Sequence, residues 1–277
     1  MPPISTRRFA TAMALGVLVT VTACQKKPKD QPAASPAATV PAGPPPPLTI
    51  ASTTADAQVN LTLPEGIKLY PELHTRLYNQ GQSELTAFVD QAHKDRAQNS
   101  ADGIEEPPYY HSIVWKISAQ TPRLVSVYSE ADDYQGGAHP NHTIETLLWD
   151  RNTRSIIDTQ RLFQPNADFR TIDTYLCRQV EAARSKRAGE PVSQASSGFA
   201  CPKFTDSRLV LIPAQAGGRI GAVDALYAPY DVGPYAEGPY EIRVPQSLLT
   251  GVIASEFADQ FGGEPVAQQA LSDPDAE

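Results

Sequence analysis

Apolar and polar residues alternate from Ala57 to Leu63, with Val59, Leu61 and Leu63 on one side, and this predicts a strand. Pro64-Glu65-Gly66 ends it. From about Pro71 to Gln98 the period changes to that of a helix. Leu69, Leu73 and Leu77 fall four apart, and Leu85, Phe88, Val89 and Ala92 continue the stripe. Pro71 suits the first turn, and Gly81 is expected to weaken the middle. After a polar loop over Asn99–Pro108, alternation returns from Tyr109 to Ala119, where Tyr109, His111, Ile113, Trp115 and Ile117 share a face. Strands are also expected at Leu124–Tyr134 and Thr143–Trp149. Asp150-Arg151-Asn152-Thr153 reads as a hairpin turn into Ser155-Ile156-Ile157.

Beyond the break near residue 165, Asn166 is the expected cap of a second helix reaching about Lys186, with Phe169, Ile172, Leu176 and Val180 as its stripe. Ala188–Ala200, rich in Ser, Gly and Ala, reads as a flexible loop. Strands follow at Leu209–Ile212, Ala222–Tyr227 and Tyr240–Val244, and an amphipathic helix is expected over Gln246–Gln260. Strands arrive as hairpins and helices stand between groups of strands. That order predicts an α+β fold of antiparallel β-sheet with helices packed on one face, in one body or in two subdomains over 49–165 and 166–262. Regular βα alternation, which a doubly wound parallel sheet needs, is absent. The acidic residues 263–277 are expected to form a disordered tail.

The first 48 residues follow neither period. Arg7 and Arg8 precede the apolar run Phe9–Val21, which is the length of a signal-peptide core and short for a membrane span. The run ends in Val21-Thr22-Ala23-Cys24, which resembles a bacterial lipobox; residues 1–23 then read as a signal peptide and Cys24 as the lipidated residue. Acyl chains contribute ~0.8 kcal/mol per buried CH₂, so several of them give stable membrane anchorage. Gln25, where an Asp is the usual inner-membrane retention signal in proteobacterial lipoproteins, points to the outer membrane. Eight prolines lie between Gln25 and Leu48. They favour an extended tether of up to ~75 Å at about 3.1 Å per residue.

Composition narrows the function classes. The 277 residues are 41% hydrophobic and 19% charged, ordinary globular values. With 23 basic and 31 acidic residues the charge is −8. Loss of the first 23 residues removes two arginines and no acid, leaving 21 basic residues and a charge of −10. No basic block stands beyond the N-terminal region, which argues against nucleic-acid binding. No HExxH, GxSxG, SxxK or Walker A pattern occurs, so no catalytic residue, metal site or cofactor is assigned. His139 and His142, three apart on an extended segment, point to opposite faces and make a poor metal pair. His111 reads as a core histidine, and Glu130, Asp132 and Asp133 as a solvated group. Cys177 and Cys201, the pair left beside Cys24, read as a disulfide in an oxidising compartment, with two free thiols as the alternative.

Two segments carry a family resemblance. Tyr134-Gln135-Gly136-Gly137-Ala138-His139-Pro140-Asn141 resembles the Y-x-GGAHPN signature of RsiV-like and PdaC-like bacterial envelope domains. The segment from Tyr227 to Pro245, with Pro229-Tyr230 and Pro234-Tyr235-Ala236-Glu237-Gly238, resembles the PY-x-x-x-PYAxG signature of the domain that follows it in RsiV-like proteins. The resemblance covers about residues 50–255, with the PdaC-like part at 49–165 and the RsiV-like part at 166–262. It implies an extracytoplasmic domain that binds lysozyme-like muramidases or cell-wall glycan. The N-terminus departs from the anti-sigma-factor pattern, so sigma-factor control is not implied. The deacetylase chemistry of PdaC-like enzymes belongs to a separate domain. The alternative is a peptidoglycan-active hydrolase or deacetylase-associated protein using His139. His139, Asn141, Tyr230 and Tyr235 are the candidate ligand-binding residues. Their plain alternative is a structural turn at the glycines and core packing for the tyrosines.

Overall fold

In a computed structural model of the protein, residues 44–104 and 106–268 are described. The expected signal peptide, Cys24, most of the tether and residues 269–277 lie outside them.

Six strands form the first sheet in sequence order: β1 (Thr49–Thr53), β2 (Ala57–Thr62), β3 (Tyr109–Gln120), β4 (Leu124–Tyr134), β5 (Asn141–Asp150) and β6 (Ser155–Ile157). All neighbours are antiparallel except β2 and β3, which α1 (Pro71–Ala101) joins as a crossover. A second, antiparallel sheet runs β7 (Arg208–Pro213), β8 (Ile220–Tyr227) and β9 (Tyr240–Pro245). The fold is α+β, with each sheet carrying one long helix.

The α1 stripe of Leu73, Leu77, Leu85, Phe88 and Ala92 packs on Val59, Leu61, Ile113, Trp115 and Val127 of the first sheet. Complete burial of one such side chain stabilises by ~1.5–3 kcal/mol. On α2 (Arg170–Ala188), Ile172, Leu176 and Val180 pack on Leu209, Leu211, Val223, Ala225 and Ile242 of the second sheet. The same core takes in Ala119, Leu124 and Leu148 from the first sheet. A third cluster, with Ile144 of β5 against Val210, Ile212, Ala222 and Leu226, joins the two sheets. Cys177 of α2 is bridged to Cys201, with Cα atoms 4.9 Å apart.

Several expectations are corrected. The α1 stripe starts at Leu73, because Leu69 sits in a preceding 3-10 turn and is exposed. Gly81 does not break α1, and it lets the helix approach β2: a Cβ there would stand 2.8 Å from Leu61 Cδ2. Strand β1 adds to the expected elements; Thr49-Ile50-Ala51-Ser52-Thr53 is mostly exposed and has no apolar face to signal a strand. The second helix starts at Arg170, not after Asn166; the Asp168 carboxylate accepts the Arg170 N–H at 3.1 Å.

Residues 188–200 contain a short helix, α3 (Gln194–Ser197), so they are not a featureless loop. The helix expected over Gln246–Gln260 is broken. Only Gln246–Leu249 is α-helical (α4); Gly251 turns at φ +87°, Ile253 bridges to Phe163, and Ser255–Gln260 forms a 3-10 turn. The apolar spacing there serves burial of Leu249, Phe257 and Phe261 from separate turns. Backbone hydrogen bonds continue past Gly262, with Val266 N–H donating to Pro213 O at 3.0 Å.

Candidate functional site

The two motif segments meet. The β4–β5 hairpin turns through Gly136 and Gly137, at φ +90° and +97°, a region closed to most side chains. A Cβ on Gly136 would also lie 3.0 Å from Glu106 Oε1, so both conformation and space call for glycine there. The turn delivers His139 to the surface. Its Nδ1 lies 2.8 Å from Pro140 O, an acceptor only, so Nδ1 carries the proton and Nε2 accepts. The donor is the Tyr230 hydroxyl, 3.3 Å away.

The imidazole also stacks on Tyr235, with centroids 3.9 Å apart and planes at 20°. Tyr230 and Tyr235 are 5.7 Å apart. Tyr230 is 58% exposed, which makes it a contact surface rather than core. Tyr110 of β3 stacks on Tyr134 of β4, with centroids 6.1 Å apart. Burial raises the Tyr235 phenol above its ordinary value, and the Asp132 charge adds to this. Burial likewise raises the Tyr110 phenol, followed by Asp132, Tyr235 and Asp133. The Asp132 charge thus acts on both the Tyr110 and Tyr235 phenols. Stacked rings beside negative charge attract flat groups and cations.

The loop between β8 and β9 is fixed from below. Tyr230 itself has φ +73°, unusual for a residue with a side chain. Its turn is held by Asp231, whose carboxylate accepts from Ala228 N–H at 2.7 Å and from Arg208 Nη1 at 2.5 Å. Tyr235 opens a 3-10 turn ending at Glu237. Arg184 of α2, only 4% exposed, grips Glu237 with two parallel hydrogen bonds of 2.8 and 3.0 Å. The guanidinium holds the Glu237 carboxyl below its usual range. Arg184 also donates to Gln194 and Ser197 of α3. Arg187 donates to Pro239 O at 2.7 Å and covers the Tyr240 ring at 3.8 Å.

His139, Tyr230 and Tyr235 are thus brought together. Asn141 is not among the stacked rings; it donates to Asp133 Oδ2 at 3.2 Å. Tyr227 and Tyr240 are buried, the first against Ser207 Oγ at 2.9 Å, the second donating to Glu237 at 2.6 Å. His142 faces Asp132 at 2.8 Å, and this bond raises its pKa against the opposing effect of burial. Glu130 is paired with Lys116. His111 lies beside Glu84 at 3.1 Å and edge-on to Phe88. Among the described residues no group of three or more His, Cys, Asp or Glu is placed to hold a metal ion. Among them, too, no helix is long and apolar enough to cross a membrane. Sequence reasoning missed Tyr110 and the Arg184–Glu237 pair. Tyr110 sits at an even position of a strand whose odd positions carry the apolar pattern, and an Arg on a helix gives no sign that it is buried.

Residues 50–142, from β1 to the start of β5, match the family described as "Deacetylase PdaC". No curated protein matches significantly. Among solved structures, a member of the DUF3298 family from Bacteroides fragilis shares the fold, with TM-score 0.52 and 15% identity over 73% of this chain and 85% of its own. A DUF3298 family protein from Pseudomonas aeruginosa gives a TM-score of 0.49 and 20% identity, covering 80% of this chain and 100% of its own. Residues 50–142 thus resemble a PdaC-family domain, and the second motif is seated against the first.

Proposed function

We propose that this is a lipid-anchored envelope protein whose head binds a cationic, lysozyme-like muramidase through the patch of His139, Tyr230 and Tyr235, without chemistry of its own. The signal at residues 1–23 exports it. Acylated Cys24 holds it on the periplasmic side of the outer membrane, and the proline-rich tether up to residue 48 sets the head away from the lipid.

The observation that carries this reading is the stack of His139 on Tyr235 with Tyr230 exposed beside it. Two motifs 91 residues apart, counted from His139 to Tyr230, build one aromatic surface held by a buried ion pair. Rigid, amphipathic rings give contact area at low entropic cost, which suits protein recognition. The charge of −10 on the mature chain, read from the sequence, speeds encounter with a basic partner.

The test is retention of a basic lysozyme by the immobilised full chain at low and moderate salt. Wild type is expected to retain it, and Tyr235→Ala and His139→Ala to lose most of it. No retention at low salt refutes the muramidase partner. Retention of peptidoglycan fragments instead would assign the patch to glycan. Turnover of peptidoglycan abolished by His139→Ala would replace binding by catalysis. Radioactive palmitate that fails to label Cys24 in intact cells would remove the anchor.

A further inference from the structure

Away from the aromatic patch, α1 and the face of β4 and β5 separate and leave a cleft of about 210 Å³. Its floor is apolar, with Ile113 and Trp115, and its walls carry Gln80 and Glu84 of α1 and Thr143 and Glu145 of β5. The cleft shares no residue with the patch.

The two glutamates are not equivalent. Glu84 has His111 Nε2 at 3.1 Å. The hydrogen-bond partner of Glu145 is a neutral group, the Gln80 amide, which donates to its carboxylate at 3.2 Å. Burial pushes the Glu145 carboxyl above its ordinary value, and the charge of Glu84 adds to this, while Gln80 and the more distant Arg76 pull it back. A carboxylate facing a second one across a cleft, with only an amide as its hydrogen-bond partner, gains from a cation placed between them. An apolar floor beside that position suits a cation carried on a methylene stem rather than a bare ion, since such stems bury along apolar surface while the head stays polar.

We propose that this cleft binds one guanidinium or alkylammonium group on a short apolar stem, the stem lying on Trp115 and Ile113 and the head between Glu84 and Glu145. An arginine or lysine side chain and a free amine share this chemistry.

The experiment follows the indole N–H resonance of Trp115 and the amide of Thr143 in the full chain at low ionic strength. The buried Trp149 indole serves as internal control. N-acetyl-arginine amide is titrated against N-acetyl-citrulline amide, which has nearly the same shape and no charge. The arginine compound is expected to shift Trp115 and Thr143 saturably, at least about tenfold more tightly than the citrulline compound, or ~1.4 kcal/mol. Glu145→Gln and Glu84→Gln, which keep shape and remove charge, should each weaken it by a similar factor while leaving the spectrum folded. Putrescine forms the second arm. If it binds as tightly as the arginine compound, the site serves free amines; weaker binding assigns it to side chains. Equal binding of citrulline, indifference to both glutamine variants, a response to N-acetylglucosamine but not to the cations, or no saturable shift before Trp149 also moves overturns the proposal. None of these readouts depends on what the aromatic patch binds.

Discussion

The imidazole of His139 lies 3.9 Å from the ring of Tyr235, nearly parallel to it, although 96 residues separate them in the chain. Neither residue belongs to the cores that hold the sheets together. A stacked pair of this kind contributes ~0.5–1.5 kcal/mol beyond burial. Tyr235→Ala should therefore lower stability by about 0.5–1.5 kcal/mol for the lost stack, with the lost burial of a partly buried ring added, in urea titrations. The His139 ring protons should move downfield as they lose the Tyr235 ring current. An unchanged His139 spectrum would mean that the two rings do not stack in solution.

Gly81 makes the opposite kind of contact, between backbone and core. A Cβ there would sit 2.8 and 2.9 Å from the two methyls of Leu61, which is fully buried. Gly→Ala inside a helix ordinarily gains ~1 kcal/mol. Overpacking costs ~1–3 kcal/mol, and a buried leucine has little room to yield. Gly81→Ala is expected to destabilise by ~1 kcal/mol net. Gly81→Ala combined with Leu61→Ala should cost less than the sum of the two, since the cavity left by one receives the methyl of the other. Simple additivity in that cycle would show that α1 and β2 are further apart than described.

That position also marks how far the sequence was legible. Period-2 and period-3.6 patterns located β2 to β5, β7 to β9 and both long helices, because in each of them burial dictates the residue type. The patterns gave a wrong length where burial comes from turns: Leu249, Phe257 and Phe261 are spaced like one helix, yet Gly251 divides them. Strand β1 has no buried face to announce it. At the site, the motifs supplied His139, Tyr230 and Tyr235 one by one. Their meeting depends on how the second sheet packs on Ile144, a long-range relation that no local spacing encodes. The brace under Tyr235 was invisible for the same reason, since Arg184 reads as one more solvated charge on a helix until Glu237 is folded against it.

Arg184 is nearly buried, and its guanidinium meets Glu237, Gln194 and Ser197 at once. Removing one member of a buried pair leaves the other charge without compensation and costs ~3–5 kcal/mol. Arg184→Met is expected to fall in that range by urea unfolding. Arg184→Lys should recover only part, because an ammonium lacks the planar fork that meets both Glu237 oxygens. Arg184→Met and Glu237→Gln together should cost less than Arg184→Met alone, as the uncompensated charge is then gone. A stability loss below about 1 kcal/mol for Arg184→Met would show the pair to be solvated, as surface pairs are.

The last prediction concerns pH. Glu241 of β9 is half-buried and lies near the fully buried Asp224 and near Arg243, which pairs with Asp224 at 2.9 Å. Burial, then the neighbouring Asp224 carboxylate, push the Glu241 carboxyl up to about 8, against the smaller opposing pull of Arg243. The folded chain therefore keeps a proton on this group over a range in which the unfolded chain, with an ordinary glutamate near 4.5, has lost it. Where the folded state binds more protons, unfolding free energy falls as pH rises. The contribution of Glu241 is thus a loss of stability from about pH 4.5 to about pH 8, levelling above. Glu241→Gln, a fixed mimic of the protonated acid, should remove that slope. Relative to wild type it should gain most at pH 8 and above and little at pH 4.5. Urea titrations of both proteins across this interval decide it. Parallel curves would mean that Glu241 is ionised in the folded protein at neutral pH and that Arg243 divides its charge between both carboxylates.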